Sequence, residues 1–274
     1  MELDKIISGD SAVVLQSFPP DCIDLTVTSP PYDNLRTYNG FTFDFETIAR
    51  QLFRVTKSGG VVVWVVSDET LNGCETLTSF KQALYFQSIG FNVETMIWNK
   101  PPQGANGSNW YYPQSHEYMF ILAKGKPSIT NKLKDRRNAG WGRSYEKTRG
   151  GKNTKTGARK TGEVSTVDEF GYRTNVWNVK KESSGNSHPA PFPEDLARDH
   201  ILSWSKEGDV VLDCFCGSGT TPKMARLLNR HWIGIEISPE FAAMAQQRAA
   251  QLGRGLTKRA ADGGNAAPEF SNFE

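Results

Sequence analysis

Residues 28–32 read Thr-Ser-Pro-Pro-Tyr and directly follow an apolar, β-branched run, DLTVT, at 24–28. An exocyclic amino group on a nucleobase is a poor nucleophile, because its lone pair is delocalised into the ring. Acceptors placed around its hydrogens pull the nitrogen toward tetrahedral geometry. The Ser29 hydroxyl and the Pro30 carbonyl are such acceptors, and proline, lacking an N–H, presents no competing donor. The stiff Pro30-Pro31 pair fixes the direction of that carbonyl, and Tyr32 offers a face on which a flipped base could stack. Taken alone, the same four residues also suit a rigid loop carrying a packed tyrosine.

A second constellation lies at 210–221, VVLDCFCGSGTT. It reads as a strand, a glycine turn and a helix, so that backbone passes close to a ligand and free N–H groups face it. Asp213 stands at the tip of the expected strand, and Glu236 ends the next one, 23 residues later. An acid in that place accepts hydrogen bonds from ribose hydroxyls. The turn is Gly-Ser-Gly rather than the longer dinucleotide fingerprint, and a second acid beside a pyrophosphate would repel it. A ribose with a cationic or zwitterionic tail fits better, and S-adenosylmethionine is such a molecule.

These groups need strand tips to hold them. Helical spacing marks 45–55, and VVVWVV at 61–66 is continuous enough for a sheet centre covered on both faces. Lys57-Ser58-Gly59-Gly60 reads as the stop between them. A helix is expected at 76–89 and strands at 92–98 and 117–123. From about 124 to 185 periodicity is lost and the stretch reads as structureless, apart from a return strand at 175–177. Regular structure resumes with a helix at 193–203, a strand at 210–213, a helix at 220–228, a strand at 232–237 and a helix at 239–251. Strand–helix–strand patterns at both ends imply an α/β fold: a Rossmann-like, mostly parallel sheet with helices on both faces.

Charge is unevenly spread. Residues 126–160 hold twelve Lys and Arg against Asp135 and Glu146, a local charge of +10 within a chain of net +2. The remainder is therefore acidic by −8. A basic segment interleaved with Trp141 and Tyr145 suggests a polyanion face, although charge runs also occur as solvated loops.

The two motifs, TSPPY at 28–32 and DCFCGSGT at 213–220, resemble the signatures of the DNA amino-methyltransferases, which methylate cytosine N4 or adenine N6. The similarity covers about 5–125 and 186–250. The order, catalytic motif first, basic segment next and cofactor motif last, resembles the family's beta arrangement, a circular permutation of the class I methyltransferase fold. The resemblance implies S-adenosylmethionine as cofactor and DNA as partner. It makes Ser29, Pro30, Pro31 and Tyr32 catalytic. It places Asp213, Phe215, Gly217, Ser218, Gly219, Thr220 and Glu236 at the cofactor, with Asp10 near its adenine and Phe192 covering it. Asp10 reads equally as a helix N-cap and Phe192 as plain core. Asp68 matches a polar strand-tip residue by the target pocket, or is a turn acid. DNA contacts are expected from Lys132, Lys134, Arg136, Arg137, Arg143 and Arg149. The implied organisation is a catalytic half at 1–125, an inserted target-recognition region at 126–185, a cofactor-binding half at 186–252 and a flexible tail at 253–274.

Ser-Pro-Pro-Tyr marks cytosine N4 enzymes more often, and Asp-Pro-Pro-Tyr adenine N6 enzymes. A hydroxyl serves either base, so adenine stays open. C5 methylation needs a nucleophilic cysteine, usually after proline, whereas Cys22 sits in Pro-Asp-Cys. An RNA or small-amine methyltransferase and a non-catalytic nucleic-acid-binding module are the rival readings. The basic insertion argues against the first rival, and the intact motifs against the second. Four cysteines without a CxxC pair exclude a zinc ribbon and read as buried thiols, with no metal expected. No apolar run reaches the roughly 18 residues of a membrane span. Composition is that of a soluble globular chain, and the N-terminus carries no signal pattern. The expectation is a cytoplasmic monomer or homodimer, with or without a partner restriction nuclease.

Overall fold

A computed structural model describes residues 1–31, 43–100, 112–149, 159–180 and 193–250. Tyr32, Phe192 and the tail at 253–274 lie outside the described residues. Strand β1 (Lys5–Ser8) is followed by the single turn α1 (Ser11–Val14), which Asp10 caps by accepting from the Ala12 N–H at 2.7 Å. β2 (Ile23–Thr28) ends where Ser29-Pro30-Pro31 removes two ladder donors. α2 (Phe45–Val55) buries Ile48, Ala49, Leu52 and Val55, the spacing of one helical face. β3 (Thr56–Val66) follows at once. The 57–60 segment, read as a helix stop, is thus already strand, joined to β2 with a register irregularity.

A small hairpin, β4 (Thr70–Leu71) and β5 (Cys74–Glu75), precedes α3 (Thr78–Ser88), β6 (Asn92–Asn99) and β7 (His116–Ala123). Then come β8 (Arg136–Arg137), β9 (Ser144–Arg149), β10 (Arg159–Thr166), β11 (Phe170–Gly171) and the return strand β12 (Val176–Asn178). The chain closes through α4 (Glu194–Trp204), β13 (Val210–Asp213), α5 (Thr220–Leu227), β14 (His231–Glu236) and α6 (Pro239–Ala250).

The described residues form two compact units, 1–131 with 175–250, and 132–174. The first is built on an eight-stranded sheet in the order β1-β14-β13-β2-β3-β7-β6-β12. All pairings are parallel except those of β7, which runs antiparallel to both neighbours. Along β3, Val62, Trp64 and Val66 pack with α1, α2 and α3, joining Leu15, Ile48, Leu52 and Phe86. Val61, Val63 and Val65 are just as buried and point the other way, toward the side where α4 meets β2 and β3. Covering on both faces explains the unbroken hydrophobic run.

The second unit corrects the expectation of a structureless insertion: β9 pairs with β10 and β8 with β11, both antiparallel. Its polar composition hid these strands, which bury little. Among the cysteines, Cys214 and Cys216 are buried, Cys22 is half-buried and Cys74 is exposed, so the uniform burial expected of them does not hold. No described helix is long and apolar enough to cross a membrane.

Candidate active site

Parallel strands bring their C-terminal tips to one edge of the sheet. Ser8 of β1 lies in register with Glu236 of β14, and Gly234 of β14 with Asp213 of β13. On the far side of β13, Leu212 pairs with Thr26 of β2, two residues before the strand ends. Asp10, Glu236, Asp213 and Ser29-Pro30-Pro31 therefore follow four adjacent strands at one edge, where ligand crevices form in open α/β sheets.

The two motifs are tied directly. The Thr28 hydroxyl donates to Asp213 Oδ1 at 2.6 Å, and the Phe215 N–H donates to the same oxygen at 3.1 Å. Thr28 was not singled out in the sequence; its signal was a hydroxyl next to Ser29 on a strand beside β13. Asp213 is buried, and burial pushes its carboxyl up to about 6, against the lowering effect of the Thr28 hydroxyl. At neutral pH it is a poorly solvated anion, well disposed toward a cationic group.

Glu236 occupies the adjacent tip, half-buried. Its two oxygens accept one N–H each, from Gly217 at 2.9 Å and Ser238 at 2.9 Å. Each oxygen keeps a lone pair, which is what a ribose diol requires. Gly219 adopts φ +83° at the start of α5, and a Cβ there would come within 2.9 Å of Ala245 on α6. The acceptor set thus fits a ribose beside a positive charge.

The structure redistributes other expected roles. Phe215 packs its ring on Phe43 at 5.2 Å and on Trp64 at 6.1 Å, so its side chain anchors the turn in the core. The hydroxyls of Ser218 and Thr220 accept from Arg248 Nη1 at 2.9 and 3.1 Å, so these side chains are engaged within the protein. Arg248 Nη2 continues to Glu194 Oε1 at 2.6 Å, which Lys223 also reaches at 2.5 Å. Burial would raise the Glu194 carboxyl, but these two cations outweigh it and hold it below its usual value. Sequence reasoning missed Arg248, which lies on α6 some 30 residues beyond the turn. Its signal was helical spacing from Ala245, which faces Gly219.

Asp68 accepts from the Ser79 N–H at 2.8 Å and the Ser79 hydroxyl at 2.5 Å, fixing the start of α3 as the turn-acid reading expects. Burial raises the Cys22, Cys214 and Cys216 thiols, so none of them is a ready thiolate nucleophile.

Within the second unit, Lys134 pairs with Asp168 at 2.7 Å and Arg136 Nε donates to the Tyr172 carbonyl at 3.0 Å. Lys132 lies 5.9 Å from the Tyr172 ring centre. Arg137 and Arg143 are exposed, and Arg149 stands in β9 in register with Arg159 of β10. Lys132, Lys134 and Arg136 are exposed as well, so these contacts brace the unit while leaving the residues at its surface.

Comparison with known proteins covers the strands that carry both motifs. A family model described as DNA methylase matches residues 23–247, from the start of β2 to within α6. The orphan methyltransferase M.BamHII of Bacillus amyloliquefaciens is 51% identical over 238 residues, covering 83% of this chain and 89% of its own. Among solved structures, the cytosine-N4-specific PvuII DNA methyltransferase superposes with a TM-score of 0.66 at 19% identity, over 91% of this chain and 86% of its own. The M1.HpyAVI–SAM complex superposes with a TM-score of 0.59 at 22% identity, over 89% and 98%. With the family match running through both motifs and every strand between them, the chain belongs to the N6/N4 DNA methylase family.

Proposed function

We propose that this protein uses S-adenosylmethionine to methylate the exocyclic amine of a flipped DNA base, and that the base is cytosine, at N4. The observation that carries the reading is the 2.6 Å Thr28–Asp213 hydrogen bond, which joins the Ser-Pro-Pro segment to the glycine turn. It sets an amine-acceptor site beside a site for a ribose and a cation. Bound there, the cofactor supplies an electrophilic methyl on a sulfonium, and alignment with the amine supplies much of the rate.

This chain's own groups have separable tasks. The Ser29 hydroxyl and the Pro30 carbonyl accept the amine hydrogens and orient its lone pair. The amine proton leaves afterwards, through Ser29 or water. Asp213 faces positive charge and Glu236 takes the ribose hydroxyls. Asp10, already the cap of α1, stands one strand further out, on the adenine side. The family resemblance assigns two further roles, cover of the cofactor to Phe192 and stacking on the base to Tyr32. Ser29 in place of an aspartate favours cytosine, since serine at the motif's first position marks cytosine N4 enzymes more often than adenine N6 enzymes. PvuII DNA methyltransferase, whose fold this chain shares, is itself cytosine-N4-specific.

The test is mass spectrometry of nucleosides from DNA of random sequence incubated with the protein and S-adenosylmethionine. N4-methylcytosine is expected. N6-methyladenine would overturn the base assignment and leave the cofactor and mechanism standing. No methylated nucleoside would overturn the catalytic reading.

A further inference from the structure

The basic residues of the second unit fall on two sides of an extended stretch. Lys132, Lys134 and Arg136 alternate onto one side and gather around Tyr172, with both lysine ammoniums about 6 Å from its ring centre. The Asp168 hydrogen bond raises the Lys134 ammonium, a sign that its charge is satisfied within the unit. Arg137 falls on the other side. Its guanidinium lies 5.8 Å from the centre of the Trp141 ring, and the two line an open hollow of about 440 Å³ with Asn138 and Ala139. Its ion pair with Glu169 is long, at 3.7 Å, and its side chain is 71% exposed.

Trp141 is 57% exposed, yet its backbone is held. The Asn138 N–H donates to Glu169 O at 2.9 Å, the Trp141 N–H to Asn138 O at 3.1 Å and the Val167 N–H to Arg143 O at 2.9 Å. Gly142 supplies the turn at φ +78°. Asn138 Nδ2 donates to Asp168 O at 3.0 Å, so its amide braces the same turn. A large indole is thus displayed to solvent on an ordered loop, with the Arg137 guanidinium over its ring. The ring holds the cation on one side, and the guanidinium, only loosely paired with Glu169, carries a planar fork of donors that can meet two coplanar acceptors. A phosphate is served by a flexible cation as well as by an arginine, whereas the adjacent O6 and N7 acceptors of a guanine edge match the paired donors of that fork best.

We propose that Arg137, oriented by Trp141, is a specificity residue that reads a guanine edge in the DNA target, while Lys132, Lys134 and Arg136 build the frame that presents it. The inference rests on the reading of this chain as a DNA methyltransferase. The experiment is methylation of a randomised DNA library, with the methylated sites sequenced for wild type, Arg137→Lys and Trp141→Ala. Melting curves check that both variants fold.

Arg137→Lys keeps the charge and loses the fork. It is expected to lower the preference for guanine at one position by about tenfold to a hundredfold, with the other positions unchanged. Trp141→Ala should loosen the same position. If Arg137→Lys keeps the wild-type preference, or weakens methylation equally across all sequences, Arg137 is a phosphate contact at most and the proposal is overturned. A wild type that methylates no member of the library overturns the functional reading together with this one, whereas a selective wild type beside an unchanged variant overturns this one alone.

Discussion

At the scale of single residues, the proposed mechanism divides the chemistry between Ser29 and Asp213. Ser29→Ala removes an acceptor from the amine while leaving the Pro30-Pro31 turn intact. Turnover should fall about 10²-fold, the usual size for loss of a positioned proton acceptor, with stability changed by less than about 1 kcal/mol. Steady-state kinetics and melting of the same sample check this, and matched losses in both would point to a structural role. Asp213 makes a pH prediction. Its carboxyl is raised by burial to about 6 in the fold, against 3.8 for an ordinary aspartate. Its contribution to stability is therefore complete below about pH 4 and is lost as pH rises through about 6. The full loss is about 3 kcal/mol. Asp213→Asn should flatten that part of the stability curve and raise stability at pH 7 to 8. Cofactor affinity runs the other way, weakening below pH 6 as the anion is neutralised, and it should be poor at every pH in the variant. Calorimetric titration from pH 5 to 8 distinguishes the two slopes.

At the scale of elements, the glycine turn is held from outside by α6. Arg248 spans the Ser218 and Thr220 hydroxyls and Glu194 on α4, so three elements share one guanidinium. Such charge-assisted bonds contribute about 1.5–3 kcal/mol each when partly buried. Arg248→Ala should loosen the turn and weaken cofactor binding about tenfold, with kcat within about twofold, because nothing at the amine site changes. Arg248→Lys should recover part of the affinity. A fall in kcat at unchanged KM would count against a positioning role. The aromatic group around Trp64 serves the same turn from beneath: Phe215 rests on it, so the cofactor loop is continuous with the core rather than perched on it.

For the whole molecule, the proposed cofactor site joins β13, β14, β1 and β2, strands drawn from the two ends of the chain. A ligand that binds only the folded arrangement stabilises all of it. S-adenosylmethionine at about 100 times its Kd should add about 2.7 kcal/mol. That corresponds to a rise of roughly 5–10 °C in Tm for a unit of this size. Thermal melting with and without the cofactor checks it, and no shift at any concentration would remove the cofactor assignment. The second unit has its own internal order, with two antiparallel strand pairs. Among the described residues, Lys132, Lys134, Arg136 and Arg137 are side chains on that scaffold.

Much of this was written locally. The helix at Phe45–Val55 and the strand at Val210–Asp213 match their sequence expectations end to end, because amphipathic spacing and uninterrupted β-branched runs are short-range signals. The Ser-Pro-Pro segment and the Gly-Ser-Gly turn were legible for the same reason: their chemistry depends on adjacent residues. The strands of 136–171 were not legible, since they are short, polar and barely buried, and periodicity reports burial. The Thr28–Asp213 bond, the hold of Arg248 on the turn and the opposite fates of Arg136 and Arg137 belong to tertiary structure. Each depends on which strand or helix lies next to which, and neighbours across a sheet can be 185 residues apart in the chain. Residue type determined what this site could do, and packing decided which side chains were left free to do it.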